Sequence, residues 1–497
     1  MGKKHHPGRA NRITANTKAL STHVQLLLEK CSNPLNNGSN DWNDHLEIRD
    51  IIEKIRKLQE GKALIQESRE ESLKEFLSWC ENNFNTEAVS IAEFDLEGYG
   101  LKATRDIKSA ELFLEIPRKM MITSDSAKAS VLGQLISQDK ILQIMPNVAL
   151  ALHLLCERNL KNSFWRNYIN ILPEEYTTPL YFSLEDLVLL KGSPTLSECL
   201  AQYRNIARQY AYFYQVFQNH PSAKDLPLRK QFCYDDYRWA VSTVMTRQNQ
   251  IPSKDGSHLI SALIPLWDMS NHCHGEITTD YSLEKDCSEC YALQDFKLDE
   301  QIYIFYGARS NSELLIHSGF VYEDNLYDKL SIKLGISKND ALYKKKTELL
   351  MKCDVPQSKS FCLQNGPNPV GIDLLVFLRV FSMDEATLSS YLGDGTEIHD
   401  FLEKLKNPHS NLSKENEMKA WSYLETRAAL LMKSYPSSVQ EDEQNLSSPD
   451  LSPSGRSAIQ LTLCERQILK KTINFAAQQK LILAEVIPGV EVCGGGD

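Results

Sequence analysis

No stretch of this 497-residue chain is apolar for long enough to cross a bilayer. Lys3 and Lys4 are not followed by the apolar run of a secretory leader, and His6 stands where a myristoylation signal at Gly2 needs Ser or Thr. An excess of positive charge is missing too. The 55 Lys and Arg face 65 Asp and Glu, a net charge of −10, which counts against a general nucleic-acid binder and leaves only a local basic patch open. There is no Gly-x-Ser-x-Gly elbow, no His-Glu-x-x-His helix and no Gly-Lys-Ser/Thr loop, which removes three common hydrolase and nucleotide-binding chemistries. The 12 cysteines show no disulfide framework and read as free thiols in a reducing compartment. The expectation is a soluble cytoplasmic protein with nuclear access left open. The basic residues within positions 3–12 read as a solvated tail, not a localisation signal.

Length predicts roughly two to four domains, and ordinary apolar content supplies more than one core. Residues 1–16 are polar and read as disordered. Leu20, Val24, Leu27 and Leu28 then share a helix face, turn-rich residues from Cys31 to Asn40 break it, and Ile48, Ile51, Ile52, Ile55 and Leu58 mark a second helix before Gly61. From about residue 87 short strands and turns take over, with a turn at Glu97 entering a strand and another strand over 111–117. Residues 125–245 read as a mostly helical insertion, in which Tyr237, Val241, Val244 and Met245 share a face. Strand patterns return over 259–268, 277–283, 290–296 and 301–306. Beyond residue 338 the pattern is helical. Leu374, Leu378 and Phe381 form one stripe, Met418, Trp421, Leu424, Ala428 and Leu431 another closed by Pro436, and Leu461, Cys464, Ile468, Thr472 and Phe475 a third. The acidic, then Ser- and Pro-rich stretch 440–455 reads as a mobile loop. The expected domains are 1–62 (tail and helices), 63–320 (strands with the helical insertion), 321–485 (helical) and 486–497 (tail), with no internal repeat.

Three short motifs carry chemistry. Glu97-Gly98-Tyr99-Gly100 brings backbone donors and a carboxylate near any ligand, though alone it is an ordinary hairpin turn, and it lacks the spacing of a dinucleotide fingerprint. Thr246-Arg247-Gln248-Asn249-Gln250 offers a guanidinium for a carboxylate and an amide with both donor and acceptor, though alone it reads as a polar loop. Trp267-Asp268-Met269-Ser270-Asn271-His272 leaves an apolar run and is followed by Tyr303-Ile304-Phe305-Tyr306-Gly307. The Asn-His pair alone says little, but the joint pattern is far more specific. Tyr210, Tyr212 and Tyr214 read as helix packing and not as an aromatic cage.

Together these motifs resemble the SET-domain protein methyltransferases, and among them the Rubisco large-subunit methyltransferase group with its helical C-terminal substrate-binding domain. The likeness is closer still to members that methylate a histidine of actin, through the runs 207–214, 237–242, 246–252 and 301–307, and it spans about residues 1–478 before the chain departs. The resemblance implies an α+β fold: a SET β-fold with a near-knotted core, the helical insertion, and an all-helical C-terminal domain. It implies S-adenosyl-L-methionine as cofactor, held by Arg69, Glu97, Gly98, Tyr99, Arg247, Asp268, Met269, Ser270, Asn271, His272, Ser318, Gly319 and Phe320. It implies actin as protein substrate, along Asn147, Arg208, Gln209, Trp267, Ile304 and Arg309, with Tyr306 and Asn249 at the methyl-transfer point. No nucleic acid or membrane partner is expected, and a monomer is. Cys287-Ser288-Glu289-Cys290 has the spacing of a zinc half-site that His272, Cys273 or His274 could complete. No second such pair exists, and the resemblance commits His272 to the cofactor, so no metal is expected.

The implied chemistry is sensible in its own right. A neutral imidazole, with an unperturbed pKa of about 6.5, is mostly ready to attack at pH 7, whereas a lysine ammonium must first lose a proton. Orientation then matters more than base catalysis. A polar amide at Asn249 suits an imidazole better than an aliphatic stem. Lysine methylation of histone or another protein, and a non-catalytic actin-binding module, stay open as alternatives.

Overall fold

The computed structural model describes residues 9–33, 41–61, 63, 68–95, 97–392 and 398–485. The chain divides into two units. The first comprises Met1–Tyr181, Ser197–Gly307 and Ile316–Gly319, and the second Phe182–Leu196, Ala308–Leu315 and Phe320–Asp497. Residues 1–8 of the expected polar tail and the tail at 486–497 lie outside the described residues, while a helix already begins at Arg9, inside the stretch expected to be disordered.

In the first unit the helices Arg9–Ser32 and Asp41–Leu58 bury the expected apolar stripes, with Val24, Leu27, Ile52 and Ile55 almost fully shielded. Ten strands form three small sheets. In chain order they are β1 (Val89–Phe94), β2 (Gly98–Ala103), β3 (Leu112–Pro117), β4 (Ile122–Thr123), β5 (Gln248–Pro252), β6 (Leu259–Leu263), β7 (Asn271–His272), β8 (Thr279–Ser282), β9 (Cys287–Tyr291) and β10 (Gln301–Ile304). The sheet orders are β1-β2-β10-β7, β3-β9-β8 and β4-β6-β5. All pairs are antiparallel except β7 with β10, where Asn271 faces Tyr303 and His272 faces Ile304. A parallel pair needs a crossover, and residues 273–300 supply it.

Between β4 and β5 the chain is helical, as its patterning predicts. The helices Thr195–Asn219 and Tyr234–Arg247 join over an aromatic core of Tyr210, Phe213, Phe217, Phe232, Tyr234 and Tyr237. Tyr210 stacks on Phe232 at 5.4 Å between centroids and accepts a hydrogen bond from Gln59, and Tyr212 donates to Asp139, so these tyrosines are packing groups. Two strand expectations shift. The pattern over 290–296 belongs to a strand that starts three residues earlier, and the run 259–268 ends as a strand at Leu263, because Pro265 has no N–H for a ladder.

The second unit is mainly helical but not wholly so. A hairpin of β11 (Lys329–Gly335) and β12 (Ser358–Gln364) pairs over seven residues and corrects the all-helical expectation. Its apolar alternation (Leu330, Ile332, Leu334 against Phe361, Leu363) has period two, the pattern of a half-buried strand. The expected mobile loop at 440–455 is also corrected. Ser438 and Glu441 form a capping box on the helix Val439–Leu446, Asp442 is buried against Arg466, and Ser452 donates to Asp186 before the long helix Pro453–Glu485. Arg379, 1% exposed, pairs with Glu417 at 2.8 Å and also donates to carbonyls at the end of the helix Ile398–Lys406. Among the described residues no helix is long and apolar enough to cross a membrane.

Glu465 is the most consequential buried acid of this unit. Ser193 and Thr195 donate to its Oε1 and Tyr435 to its Oε2, yet burial pushes its pKa up to about 7. In the unfolded chain the group would titrate near 4.5. Between those values the unfolded chain releases a proton that the folded chain keeps, so this group makes stability fall as pH rises through the window. The full effect is on the order of 3 kcal/mol. Glu465→Gln, which cannot ionise, should therefore be more stable than the parent at pH 8 and lose that advantage by pH 5. Urea denaturation at the two pH values measures this.

Candidate functional site

The helix Tyr234–Arg247 starts with Asp235 and Asp236 and ends on Arg247, charges that complement its dipole at both ends. Its last residue is thus delivered to the start of β5, with Asn249 two places on. There Nη1 of Arg247 donates to the Asp268 carbonyl at 2.8 Å and lies 3.3 Å from the Asp268 carboxylate. Burial works against this guanidinium, but Asp268 and the hydroxyls of Tyr176 and Tyr168 outweigh it and hold its pKa above the ordinary range. Tyr168 donates to the second oxygen of the same carboxylate.

Asp268 reaches this position by way of a strained turn. Leu266 has φ 70° and ψ −53°, and the Trp267 N–H donates to the Pro265 carbonyl at 2.9 Å. That is a γ-turn of the rare, strained kind in a bulky residue. The turn feeds a short 3-10 helix, Trp267–Met269, whose three side chains are buried, and then β7.

Arg69, at the start of the helix Arg69–Glu81, approaches from another direction. Its guanidinium lies 4.7 Å from the Tyr99 ring centroid, and its Nε donates to the Ile171 carbonyl. Burial, and then the neighbouring Arg247, pull its pKa down to about 10. Both guanidiniums come within 3.8 Å of the Met269 sulfur. Tyr99 sits on β2 beside Gly98, which has φ 69° and open space where a Cβ would project. Glu97 is exposed and accepts from the Tyr303 hydroxyl at 3.3 Å.

Asn271 and His272 occupy the far edge of the same sheet. The Asn271 amide donates to the Tyr99 carbonyl and to Gln301 Oε1. His272 accepts the Tyr306 backbone N–H on Nδ1 at 3.2 Å and stacks on Phe305. The Tyr306 hydroxyl donates to the Ser270 carbonyl at 2.7 Å, which ties the end of β10 to the Asn-His segment. Ile304, one register place from Tyr303, is buried opposite His272. Asn249 pairs with Ala262 across the β5–β6 ladder, and its amide makes one long bond, 3.4 Å, to the Arg247 carbonyl.

The structure therefore joins Arg69, Tyr99, Arg247, Asp268 and Met269 in one contact network, and Glu97, Asn271, His272, Ser270 and Tyr306 in chains that meet it. Gly319 packs against Thr177 and Thr178, next to Tyr176, with Ser318 beside it. Asn147 is an exposed residue in the first turn of the helix Pro146–Asn159, Arg208 is exposed and bonded to Asn205, and Gln209 accepts from Tyr237, so no described bond links these three to the network. Arg309 and Phe320 belong to the second unit, where the Arg309 carbonyl accepts from Asn325. The cysteines of the zinc half-site stand at i and i+3 of β9, on opposite faces of the strand. Glu115, Cys287 and Glu289 do cluster, but Lys285 sits on both carboxylates at 2.8 and 2.9 Å.

A SET-domain profile matches residues 98–307, and a Rubisco LSMT substrate-binding profile matches 337–469. An actin-histidine N-methyltransferase of Xenopus tropicalis is 48% identical over 98% of this chain and 84% of its own length. One of Gallus gallus is 49% identical over 97% and 82%. The chain belongs to the actin-histidine N-methyltransferase family of SET-domain proteins. The fold is also that of the SET domain of LSMT bound to lysine and AdoHcy, at a TM-score of 0.69 and 21% identity over 85% of this chain and 97% of that one.

SET methyltransferases of this family use S-adenosylmethionine, whose amino-acid end carries a carboxylate and an ammonium. The residues present fit it. Two guanidiniums meet at the Met269 sulfur, only Arg247 is paired with the buried carboxylate of Asp268, and the positive charge of Arg69 suits a second carboxylate. Arg69, Tyr99, the open Gly98 backbone and Asn271 are the groups that would hold this end. Asp268, expected among them, has a side chain 1% exposed that is held by Arg247 and Tyr168. Tyr168, Tyr176, Gln301 and Tyr303, which sequence reasoning did not single out for the site, adjoin these residues. Only the last two left a signal, as polar residues two apart on one strand face. Arg69→Met should weaken S-adenosylhomocysteine binding about ten-fold, the loss of one charge-assisted bond, with little change in unfolding. Arg247→Ala should cost about 3–5 kcal/mol of stability, because it leaves Asp268 buried and unpaired. Calorimetry and thermal unfolding of both variants separate the two roles.

Proposed function

We propose that this chain transfers one methyl group from S-adenosylmethionine to Nε2, the tele nitrogen, of a histidine of actin. The observation that carries the reading is the near full-length relationship to actin-histidine N-methyltransferases, together with a polar amide, Asn249, two residues beyond Arg247. The bound cofactor supplies an electrophilic methyl on a sulfonium. The nitrogen lone pair forms the new N–C bond, the C–S pair returns to sulfur, and the proton of the methylated ring leaves to solvent.

The chain's own residues need supply no strong base, since the reactive imidazole is neutral above its pKa. They supply position. Asn249 has one long hydrogen bond of its own and so keeps capacity to bond a ring nitrogen. Tyr306 donates its only hydroxyl proton to the Ser270 carbonyl, which fixes the phenol beside the Asn-His segment. Trp267 and Ile304, both buried, together with Asn147, Arg208, Gln209 and Arg309 are proposed to contact actin. A second transfer is disfavoured because it would require the other ring nitrogen, which faces away from the methyl donor when Nε2 faces it. A monomer in the cytoplasm, with access to the nucleus and no membrane or nucleic-acid partner, completes the proposal. The free thiols of the eleven described cysteines and the net acidic charge support it.

Incubation with actin and S-adenosylmethionine, followed by mass spectrometry, should find one methyl on a histidine. The rate should fall as pH drops through about 6.5, where the substrate ring protonates. A lysine substrate would still gain rate well above neutrality, where a histidine substrate has already levelled off, and a binding module would show no transfer. Asn249→Ala should slow the reaction about ten-fold or more while cofactor affinity stays the same, since an unpaired partner costs about 1–3 kcal/mol. Unchanged turnover in that variant would remove Asn249 from the site.

A further inference from the structure

Two side chains of β10, Gln301 and Tyr303, lie on one strand face between the glycine turn and the Asn-His segment, and nothing above gives them a role. Gln301 is 8% exposed and uses both ends of its amide. Its Oε1 accepts from Asn271 Nδ2 at 3.3 Å and its Nε2 donates to the Tyr303 hydroxyl at 2.6 Å. The Tyr303 hydroxyl donates in turn to Glu97 at 3.3 Å. We propose that Gln301 and Tyr303 are positioning residues that carry the acceptor-only character of Glu97 to the Asn271 amide, so that Asn271 presents its carbonyl oxygen to the cofactor's ammonium. This rests on the S-adenosylmethionine reading of the site.

The polarity of the chain follows from its end. An ionised carboxylate can only accept, so Tyr303 must give Glu97 its single proton. The Tyr303 oxygen is then left to accept, which requires the NH2 end of Gln301. That turns Gln301 Oε1 toward Asn271, which requires the NH2 end of Asn271. The second amide proton of Asn271 goes to the Tyr99 carbonyl at 3.4 Å, and Oδ1 is left unclaimed by any described residue. A primary amide is nearly symmetric in shape, so without such a chain it could turn over and place donors where an ammonium also brings donors. Burial, with Glu97 beside it, raises the Tyr303 pKa and keeps the hydroxyl protonated, as the chain requires. Gly100 makes the arrangement possible. A Cβ there would stand 2.8 Å from both Asn271 Nδ2 and Gln301 Oε1.

The test compares two probes, S-adenosylhomocysteine and its analogue with hydrogen in place of the α-amino group, by calorimetry on the full chain. The parent should prefer the amine-bearing probe. Tyr303→Phe keeps the ring and removes only the relay, so that preference should shrink about ten-fold through weaker binding of S-adenosylhomocysteine alone, with an unchanged melting temperature. Gln301→Met should act in the same direction. Equal weakening of both probes would mean a merely structural role, and an increased preference would mean that Glu97, released from Tyr303, meets the ammonium directly. Either result, or an unchanged preference, overturns the relay. Failure of the parent chain to bind S-adenosylhomocysteine at all would instead overturn the cofactor reading on which the relay rests.

Discussion

Arg247 and Asp268 must be buried together or not at all. A guanidinium or a carboxylate alone in this environment would cost several kcal/mol, and each removes most of the penalty of the other. That requirement ties the last turn of one helix to a tight turn 21 residues later, and the Arg247 bond to the Asp268 carbonyl adds a backbone tether to the charge pair. Tyr168 occupies the remaining carboxylate oxygen. The strained backbone at Leu266 is stable in this setting because the pair, the three buried side chains of the 3-10 helix and the β7–β10 ladder all depend on its direction. From there the site unrolls in order: Ser270 receives the Tyr306 hydroxyl, Asn271 meets the glycine strand, and His272 holds the Tyr306 backbone.

The site has two electrostatic regions with different tasks. On the Arg69–Arg247 side there are two cations to one anion, a surplus that suits a carboxylate. Asn249 and Tyr306, on separate elements, offer a neutral amide and a phenol. Such groups lower no barrier by proton transfer, but they can hold a neutral ring in one orientation, which is what an in-line displacement requires. A strong base near Asn249 would add little for an imidazole substrate that is already unprotonated above its pKa.

The helices were legible from periodicity alone. Ile48, Ile51, Ile52 and Ile55 recur at helical spacing and are all buried, and so are Leu374 and Leu378. Shorter features were less legible. The β11–β12 alternation is interrupted by a helix before its partner strand arrives, so neither half stands out as part of a hairpin. The helix Val439–Leu446 is only eight residues long and almost wholly polar, and it is held by a capping box and one buried pair, not by an apolar stripe. In the site, Arg247, Asn271, His272 and Tyr306 could be chosen only through family resemblance, since each alone has a plain structural reading. Tyr168 could not be chosen at all. Its bond to Asp268 spans 100 residues, and nothing local to Tyr168 distinguishes it from a core tyrosine.

Backbone and side chain divide the work of specificity in this fold. The likeness to a lysine-bound LSMT domain at 21% identity lies in the path of the chain, and the parallel β7–β10 pair with its neighbouring glycine strand is a backbone feature that many sequences can form. What such a path fixes is where a cofactor's amino-acid end can lie. It does not fix which nitrogen receives the methyl, because a fold carries no substrate of its own. That choice falls to side chains projecting from the ends of strands, and Asn249 is suited to it. It sits on β5, braced by the register with β6 and by the anchored Arg247 beside it, so its amide is positioned without being committed. A change of target residue within this architecture would then need little more than a new side chain at the start of β5, while the ion pair beneath it stays in place.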